Sequence, residues 1–298
     1  MTQAVEIVEV GPRDGLQNER SVLAVDDRVA LVERTVGAGV RRVEVTSFVS
    51  AARVPQMAGA EEVCAALPRR DDVSFSGLVL NHRGLQRALA CAIDEVNLVV
   101  VATDEFSLAN QGCTTAEMLA LVADLAPAAR SEGLRVTVTI AGAFGCPFAG
   151  EVPVACVAHI AEVVAAAGLD ELSLADTIGV AVPTDVIERV REVRAAVGDL
   201  PLRLHLHNTR NTGYANAVAA VGAGVPTLDA SVGGFGGCPF APAATGNIAT
   251  EDLAWMLQRM GLSTGVDASA LAATGAWLGD LLGELPPALL GRAGLFPG

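Results

Sequence analysis

The chain has 298 residues, of which 51% are hydrophobic and 18% charged, with a formal net charge of −14. That length suits one large α/β barrel domain or two small ones, and the apolar share forms a sizeable core and excludes wholesale disorder. So acidic a chain argues against general nucleic-acid binding, although a local arginine cluster can still hold the phosphates of a polyanionic ligand.

Short β-branched runs alternate with helical patterns along the whole chain. Strand candidates start near Val5, Arg42, Val73, Val96, Arg135, Glu171, Leu202 and Thr227. Helical patterns follow near Asp26, Gln56, Arg83, Thr115, Pro153, Pro183, Gly213 and Thr250. Thr114 with Glu117 reads as a capping box, and Pro183 stands at a first helical position. About eight strand–helix alternations predict an α/β fold, a single (β/α)8 TIM barrel covering residues 1–298, rather than an open sheet. The stretch from about residue 265 reads as extra C-terminal helices packed outside the barrel.

Some chemistries are excluded by composition. There is no lysine, so a Schiff base on a protein lysine and a Walker phosphate loop are both impossible. The six cysteines lack paired spacing, which suits free thiols in a reducing compartment. No secretory leader precedes the first strand and no apolar run is long enough to span a bilayer, so a cytoplasmic protein away from membranes is expected.

In such barrels the chemistry sits at the C-terminal ends of the strands. Strand one ends in Gly11-Pro12-Arg13-Asp14, which puts a guanidinium and a carboxylate on a tight turn at that face. Strand two places Glu44 between Val43 and Val45, where a carboxylate must be paired or lie near a metal. Asn81 and His82 close strand three, within reach of a substrate. Strand six ends at Asp176, either a turn cap or a catalytic-face carboxylate. Strand seven carries His205 and His207, two apart and so on one side, an arrangement that suits a divalent metal. After strand eight comes a glycine-rich segment around Cys238, and Asn247 follows as a neutral oxygen donor that could join the histidines. Cys238 has the mobile mount; Cys146, in the similar tetrad Gly145-Cys146-Pro147-Phe148, reads as packing.

The motifs "VEVGPRDGLQNE", "VEVTSFVS", "VPQM", "GCPF", "LADTIGV" and "GGCPFAPAATGNIATEDL" resemble those of the 3-hydroxy-3-methylglutaryl-CoA lyase family, within the DRE-TIM metallolyase superfamily, over nearly the whole chain. The resemblance implies a metal site of Asp14, His205, His207 and Asn247 holding Mg²⁺ or Mn²⁺; the donor set alone also admits zinc or cobalt. It implies that Arg13 stabilises an enolate oxygen, that Glu44 and Asp176 are active-site acids with Asp176 a candidate base, and that Cys238 transfers a proton. Gln17 matches a glutamine of the same turn and, with Asn81, is expected to touch substrate. The implied reaction is retro-Claisen cleavage of a 3-hydroxyacyl-CoA to an acyl-CoA and a keto product. A homodimer is carried over with the resemblance.

One run departs from that family. His207-Asn208-Thr209-Arg210-Asn211-Thr212 stands where the lyases have His-Asp-Thr-Tyr-Gly-Gln, so Arg210 is expected to influence substrate choice. A lyase for another branched or dicarboxylic substrate such as a citramalyl-CoA is the main alternative. An isopropylmalate- or homocitrate-synthase-like enzyme shares the Arg-Asp turn and the His-x-His strand, but usually carries a regulatory domain and a different loop after strand eight. A non-catalytic scaffold should have lost one of these residues.

Overall fold

The computed structural model describes residues 3–91, 93–237 and 246–296. Eight parallel strands close into a barrel in chain order: β1 (Glu6–Glu9), β2 (Arg42–Ser47), β3 (Ser74–Val79), β4 (Glu95–Val101), β5 (Arg135–Ala141), β6 (Glu171–Asp176), β7 (Leu202–Leu206) and β8 (Thr227–Ala230). The ring shuts where β1 pairs with β8, Glu6 opposite Thr227 and Glu9 opposite Ala230. The helices are α1 (Val25–Gly37), α2 (Ala60–Ala66), α3 (His82–Leu89), α4 (Asp104–Gln111), α5 (Thr115–Ser131), α6 (Val154–Ala165), α7 (Pro183–Val197), α8 (Gly213–Gly222), α9 (Thr250–Arg259), α10 (Ala268–Leu282) and α11 (Leu290–Ala293). The TIM barrel with C-terminal helices is thus observed. Among the described residues no helix is long and apolar enough to cross a membrane.

Two details differ from the pattern expected of the sequence. The segment after β4 holds two helices, because Gly112 at φ 78° ends α4 and Thr114 caps α5 three residues before Glu117. The expected capping box is present: Thr114 N donates to Glu117 Oε2 at 2.7 Å, and Glu117 N to Thr114 Oγ1 at 3.2 Å. The helix expected near Gln56 starts only at Ala60, after one short turn at Pro55–Met57.

Both faces of a barrel strand are buried, so its alternation has a different meaning from that of an exposed sheet. Val43, Val45, Val96, Val136, Val138, Leu172, Leu174, Leu202 and Leu204 are all fully covered. Each such side chain contributes about 1.5–3 kcal/mol of burial. The alternate positions carry polar groups that bond to one another across the lumen. Arg42 of β2 holds Glu95 of β4 at 2.7 and 2.8 Å and Glu171 of β6 at 2.6 and 3.0 Å. Groups from strands two, four and six meet in this way only inside the ring. The lower lumen is therefore filled by an ion lattice in place of the usual branched apolar layers.

Buried carboxyls also secure the segment after β8. Glu9 Oε1 accepts from Gly11 N at 2.7 Å and Val232 N at 2.9 Å, and its Oε2 accepts from Thr250 Oγ1 at 2.7 Å. Both oxygens of Glu251, at the start of α9, accept from Gly233 N at 3.1 and 3.0 Å. A Cβ on Gly275 of α10 would stand 2.5 Å from Glu251 Oε1 and 3.1 Å from Gly233, so only glycine lets α10 lie this close.

Burial pushes the Glu251 pKa from its ordinary 4.5 up to about 8. A carboxyl with a raised folded pKa contributes its full stability below the unfolded value and loses it as pH rises through the folded one. Glu251→Gln cannot ionise. Its melting temperature relative to the wild type is expected to climb by several degrees from about pH 5 to about pH 9. A gap that stays constant over that range in thermal scans would show that Glu251 does not titrate there.

Candidate active site

The Arg13–Asp14 pair is aimed by its turn. Pro12 fixes its own φ, and the amides of Arg13, Asp14 and Gly15 all converge on the Val10 carbonyl at 3.1, 2.7 and 3.2 Å. Both side chains then enter the barrel mouth. Arg13 donates through Nε to Glu44 Oε2 at 2.6 Å and through a terminal nitrogen to Asp14 Oδ1 at 2.6 Å. Glu44 is held in turn by Asn97 Nδ2 at 3.0 Å, and Asn97 Oδ1 accepts from Thr139 Oγ1 at 2.9 Å. The buried Glu44 carboxylate is thus paired, as its apolar surroundings require.

Opposite this chain stand the two histidines of β7's end. His205 Nε2 and His207 Nε2 lie 3.1 Å apart, and Asp14 Oδ2 is 3.7 Å from the first and 3.9 Å from the second. Burial favours neutral imidazole at both. At His207 it acts with the neighbouring His205 to push the pKa down to about 3. At His205 the hydrogen bond to Asp229 and the charges of Asp14 and Asp229 together outweigh burial and raise it. Burial alone would raise the Asp14 pKa, but the Arg13 guanidinium and then the two imidazoles hold it well below the usual carboxylate range.

Three potential ligand atoms, one each from Asp14, His205 and His207, therefore lie within 4.8 Å of one another. Asn247, bridged to His207 across the mouth, donates Nδ2 to Asp14 Oδ2 at 2.9 Å. Its Oδ1 is buried without a hydrogen-bond partner among the described residues. A carboxylate and two imidazoles within reach of one another, with an amide oxygen nearby that has no donor among the described residues, fit a divalent cation.

These residues open on a cavity of about 640 Å³ whose walls include Arg13, Asp14, Asn97, Thr139, His205 and His207. Gln17 is on the same wall with its Oε1 unpartnered, and Asn81 lies at the rim while its Oδ1 caps α3 by accepting from Gly84 N at 2.9 Å.

Two expected site residues are not brought to the group. Asp176 does not face the cavity: Ala175 and Thr177 on either side line it, so the parity of β6 turns Asp176 the other way. Its two oxygens accept from Val180 N at 2.9 Å and Ala181 N at 3.1 Å, which fixes the β6–α7 loop. The candidate base is thus, in this structure, a loop anchor. Arg210 is exposed and off the cavity wall, where it donates to the carbonyls of Ile178 and Gly179 at 3.0 and 2.9 Å. It clasps that same loop rather than reaching into the site. Cys238 lies outside the described residues. Cys146 is buried, and its Sγ receives Thr103 Oγ1 at 3.0 Å and Ala149 N at 3.2 Å, consistent with a packing role. His82 is exposed and pairs with Asp124.

The sequence reading missed Asn97, Thr139 and Asp229. Their signal is a polar residue at every second position of an apolar strand, in "EVNLVV", "RVTVTI" and "TLDA".

A closed parallel barrel whose strand ends gather a guanidinium, a carboxylate and two buried imidazoles around one cavity defines a TIM-barrel enzyme with a candidate divalent-cation centre. Comparison with known proteins narrows the class. A family model described as HMGL-like matches residues 4–277. The (R)-citramalyl-CoA lyase of Chloroflexus aurantiacus is 47% identical, over 98% of this chain and 95% of that protein. The hydroxymethylglutaryl-CoA lyase of Pseudomonas mevalonii is 41% identical, over 98% and 96%. The crystal structure of an HMG-CoA lyase from Acinetobacter baumannii, in complex with coenzyme A and 3-methylmalate, superposes with a TM-score of 0.94 at 36% identity, over 99% of this chain and 98% of that one. The chain belongs to the HMGL-like family and is a carbon–carbon lyase.

Proposed function

We propose that this enzyme cleaves 3-hydroxy-3-methylglutaryl-CoA or a close analogue by retro-Claisen chemistry, giving acetyl-CoA and a keto product. The observation that carries this is the convergence of Arg13, Asp14, His205 and His207 on one cavity at the barrel mouth. Asp14, His205, His207 and Asn247 would hold Mg²⁺ or Mn²⁺. Bound there, the cation supplies Lewis acidity that lowers the pKa of the substrate's C3 hydroxyl. Once a base in the mouth takes that proton, the C3 oxygen becomes the carbonyl of the keto product, the C2–C3 bond breaks and its electron pair gathers on the thioester oxygen. Arg13, fixed by Glu44, offsets that charge. Cys238, beyond Gly237 on the segment after β8, returns a proton to the enolate carbon. Gln17 and Asn81 line the path of the thioester. The reading keeps residues 1–298 as one catalytic unit, a homodimer and a cytoplasmic location, as the family resemblance suggests.

A second reading takes citramalyl-CoA as the substrate, which would give acetyl-CoA and pyruvate. It is favoured by the 47% identity to a citramalyl-CoA lyase, against 41% to the hydroxymethylglutaryl-CoA lyase of Pseudomonas mevalonii. The two readings separate in a panel assay of 3-hydroxyacyl-CoA thioesters, scored for acyl-CoA and keto-product release.

Exhaustive chelation is expected to abolish turnover with every thioester, and Mg²⁺ or Mn²⁺ to restore it. His207→Ala should cost roughly two orders of magnitude or more, beyond the loss typical of an outer-shell partner. Full activity in verified metal-free protein would overturn the chemistry in both readings.

A further inference from the structure

His205 is the only one of the two clustered imidazoles with a carboxylate behind it. Its Nδ1 lies 3.1 Å from Asp229 Oδ2, while its Nε2 faces His207 and Asp14. The two nitrogens of an imidazole lie on opposite edges, and in the neutral ring one carries the proton and the other the lone pair. A carboxylate at Nδ1 takes that N–H and leaves the Nε2 lone pair aimed at the gap between Asp14 and His207.

Asp229 is itself secured from below. It projects from β8, 4% exposed, with Oδ1 3.3 Å from Arg203 Nε, an ion pair without hydrogen-bond geometry. Arg203 Nε is also 3.5 Å from Glu171 Oε2, and Glu171 is one of the carboxylates bound by Arg42. The lumenal ion lattice thus continues upward without a break, from Arg42 through Glu171, Arg203 and Asp229 to His205. Arg203 balances the charge on Asp229, so that this carboxylate remains an acceptor for the ring rather than a competing ligand.

We infer that Asp229, braced by Arg203, is a positioning residue that fixes the orientation and tautomer of His205 and thereby sets the affinity of the cation centre. The inference rests on the reading of Asp14, His205 and His207 as cation ligands. It makes the lumenal lattice below part of that centre, reached through Asp229, which itself stands on the cavity wall. Outer partners of metal-bound histidines are typically worth 10–100-fold in affinity.

The test is Mn²⁺ binding to the full-length protein, followed by the electron paramagnetic resonance of free Mn²⁺ and by calorimetry, with no substrate present. Asp229→Asn should weaken Mn²⁺ binding roughly 10–100-fold. Thr137→Val is the control, because it disturbs the same lattice at Glu95, Arg42 and Glu171, at 2.7, 3.2 and 3.5 Å, while keeping every charge and the Arg203–Asp229 pair. It should lower the melting temperature of the metal-free protein and leave Mn²⁺ affinity unchanged. A second measurement needs no variant: nitrogen-15 correlation spectra of the wild type, which has four histidines, should show neutral metal-free His205 protonated on Nδ1. No Mn²⁺ binding by the wild type would defeat the cation reading itself. Wild-type binding with equal affinity in Asp229→Asn, or a neutral His205 ring protonated on Nε2 alone, would overturn the inference alone.

Discussion

Arg13→Met is expected to lower kcat by about two to three orders of magnitude, the size of effect seen when a donor aimed at a developing oxyanion is removed. Cation affinity should be kept or strengthened, because Asp14 then loses the guanidinium that shares its Oδ1 at 2.6 Å. The expected kinetic signature is an equal fall in kcat and kcat/KM, which marks an interaction made only in the transition state. The geometry supports that assignment. Glu44 accepts from two guanidinium nitrogens, at 2.6 Å from Nε and 2.5 Å from a terminal nitrogen, so the group is held in place before charge develops. A variant with raised KM and intact kcat would show instead that Arg13 only binds the ground state.

Arg42→Met should be the most destabilising single change in the barrel. Arg42 lies between Glu95 and Glu171, whose side chains are 0% and 2% exposed. Methionine fills much of the space but leaves two carboxylates buried with less positive charge between them. Breaking such a buried pair by removing one partner costs about 3–5 kcal/mol, far more than the pair itself contributes relative to an apolar filling. Urea denaturation should show a lower midpoint with an unchanged slope. The triple replacement Arg42→Met with Glu95→Gln and Glu171→Gln should recover part of the loss. Equal stability of Arg42→Met and the wild type would mean that the lattice holds few net charges.

Much of this architecture can be read from the residues themselves. Gly11-Pro12-Arg13-Asp14 after a short strand and His-x-His in another strand place a guanidinium, a carboxylate and two imidazoles at one barrel mouth, and the structure brings them together. Parity explains both the success at His205 and the miss at Asp176. The lumenal residues of β6 are Glu171, Ser173 and Ala175, so Asp176, one step on, faces outward even though it ends the same strand. Arg210 lies beyond the strand, where no period constrains its direction, and its guanidinium found two carbonyls of the neighbouring loop. Asn97, Thr139 and Asp229 escaped notice because apolar–polar alternation ordinarily marks a strand with one wet face. In a closed ring the polar face is the dry lumen, and its members must satisfy one another. Cys238, which sequence placed at the centre of the chemistry, lies outside the described residues.

The seam between the first and last strands has a consequence for how the protein comes into being. Asn247 bonds Asp14 across 233 residues, and Thr250 bonds Glu9 across 241. Contacts of such separation are slow to form, since most of the chain must be ordered before they are gained. A nascent polypeptide that has emerged just past β7 already carries Asp14, His205 and His207, yet lacks β8, Asp229 and Asn247. The proposed ligand set is therefore complete only once the segment carrying Asn247 has met Asp14. With the proposed ligand set, cation uptake would report a chain whose first and last strands have met.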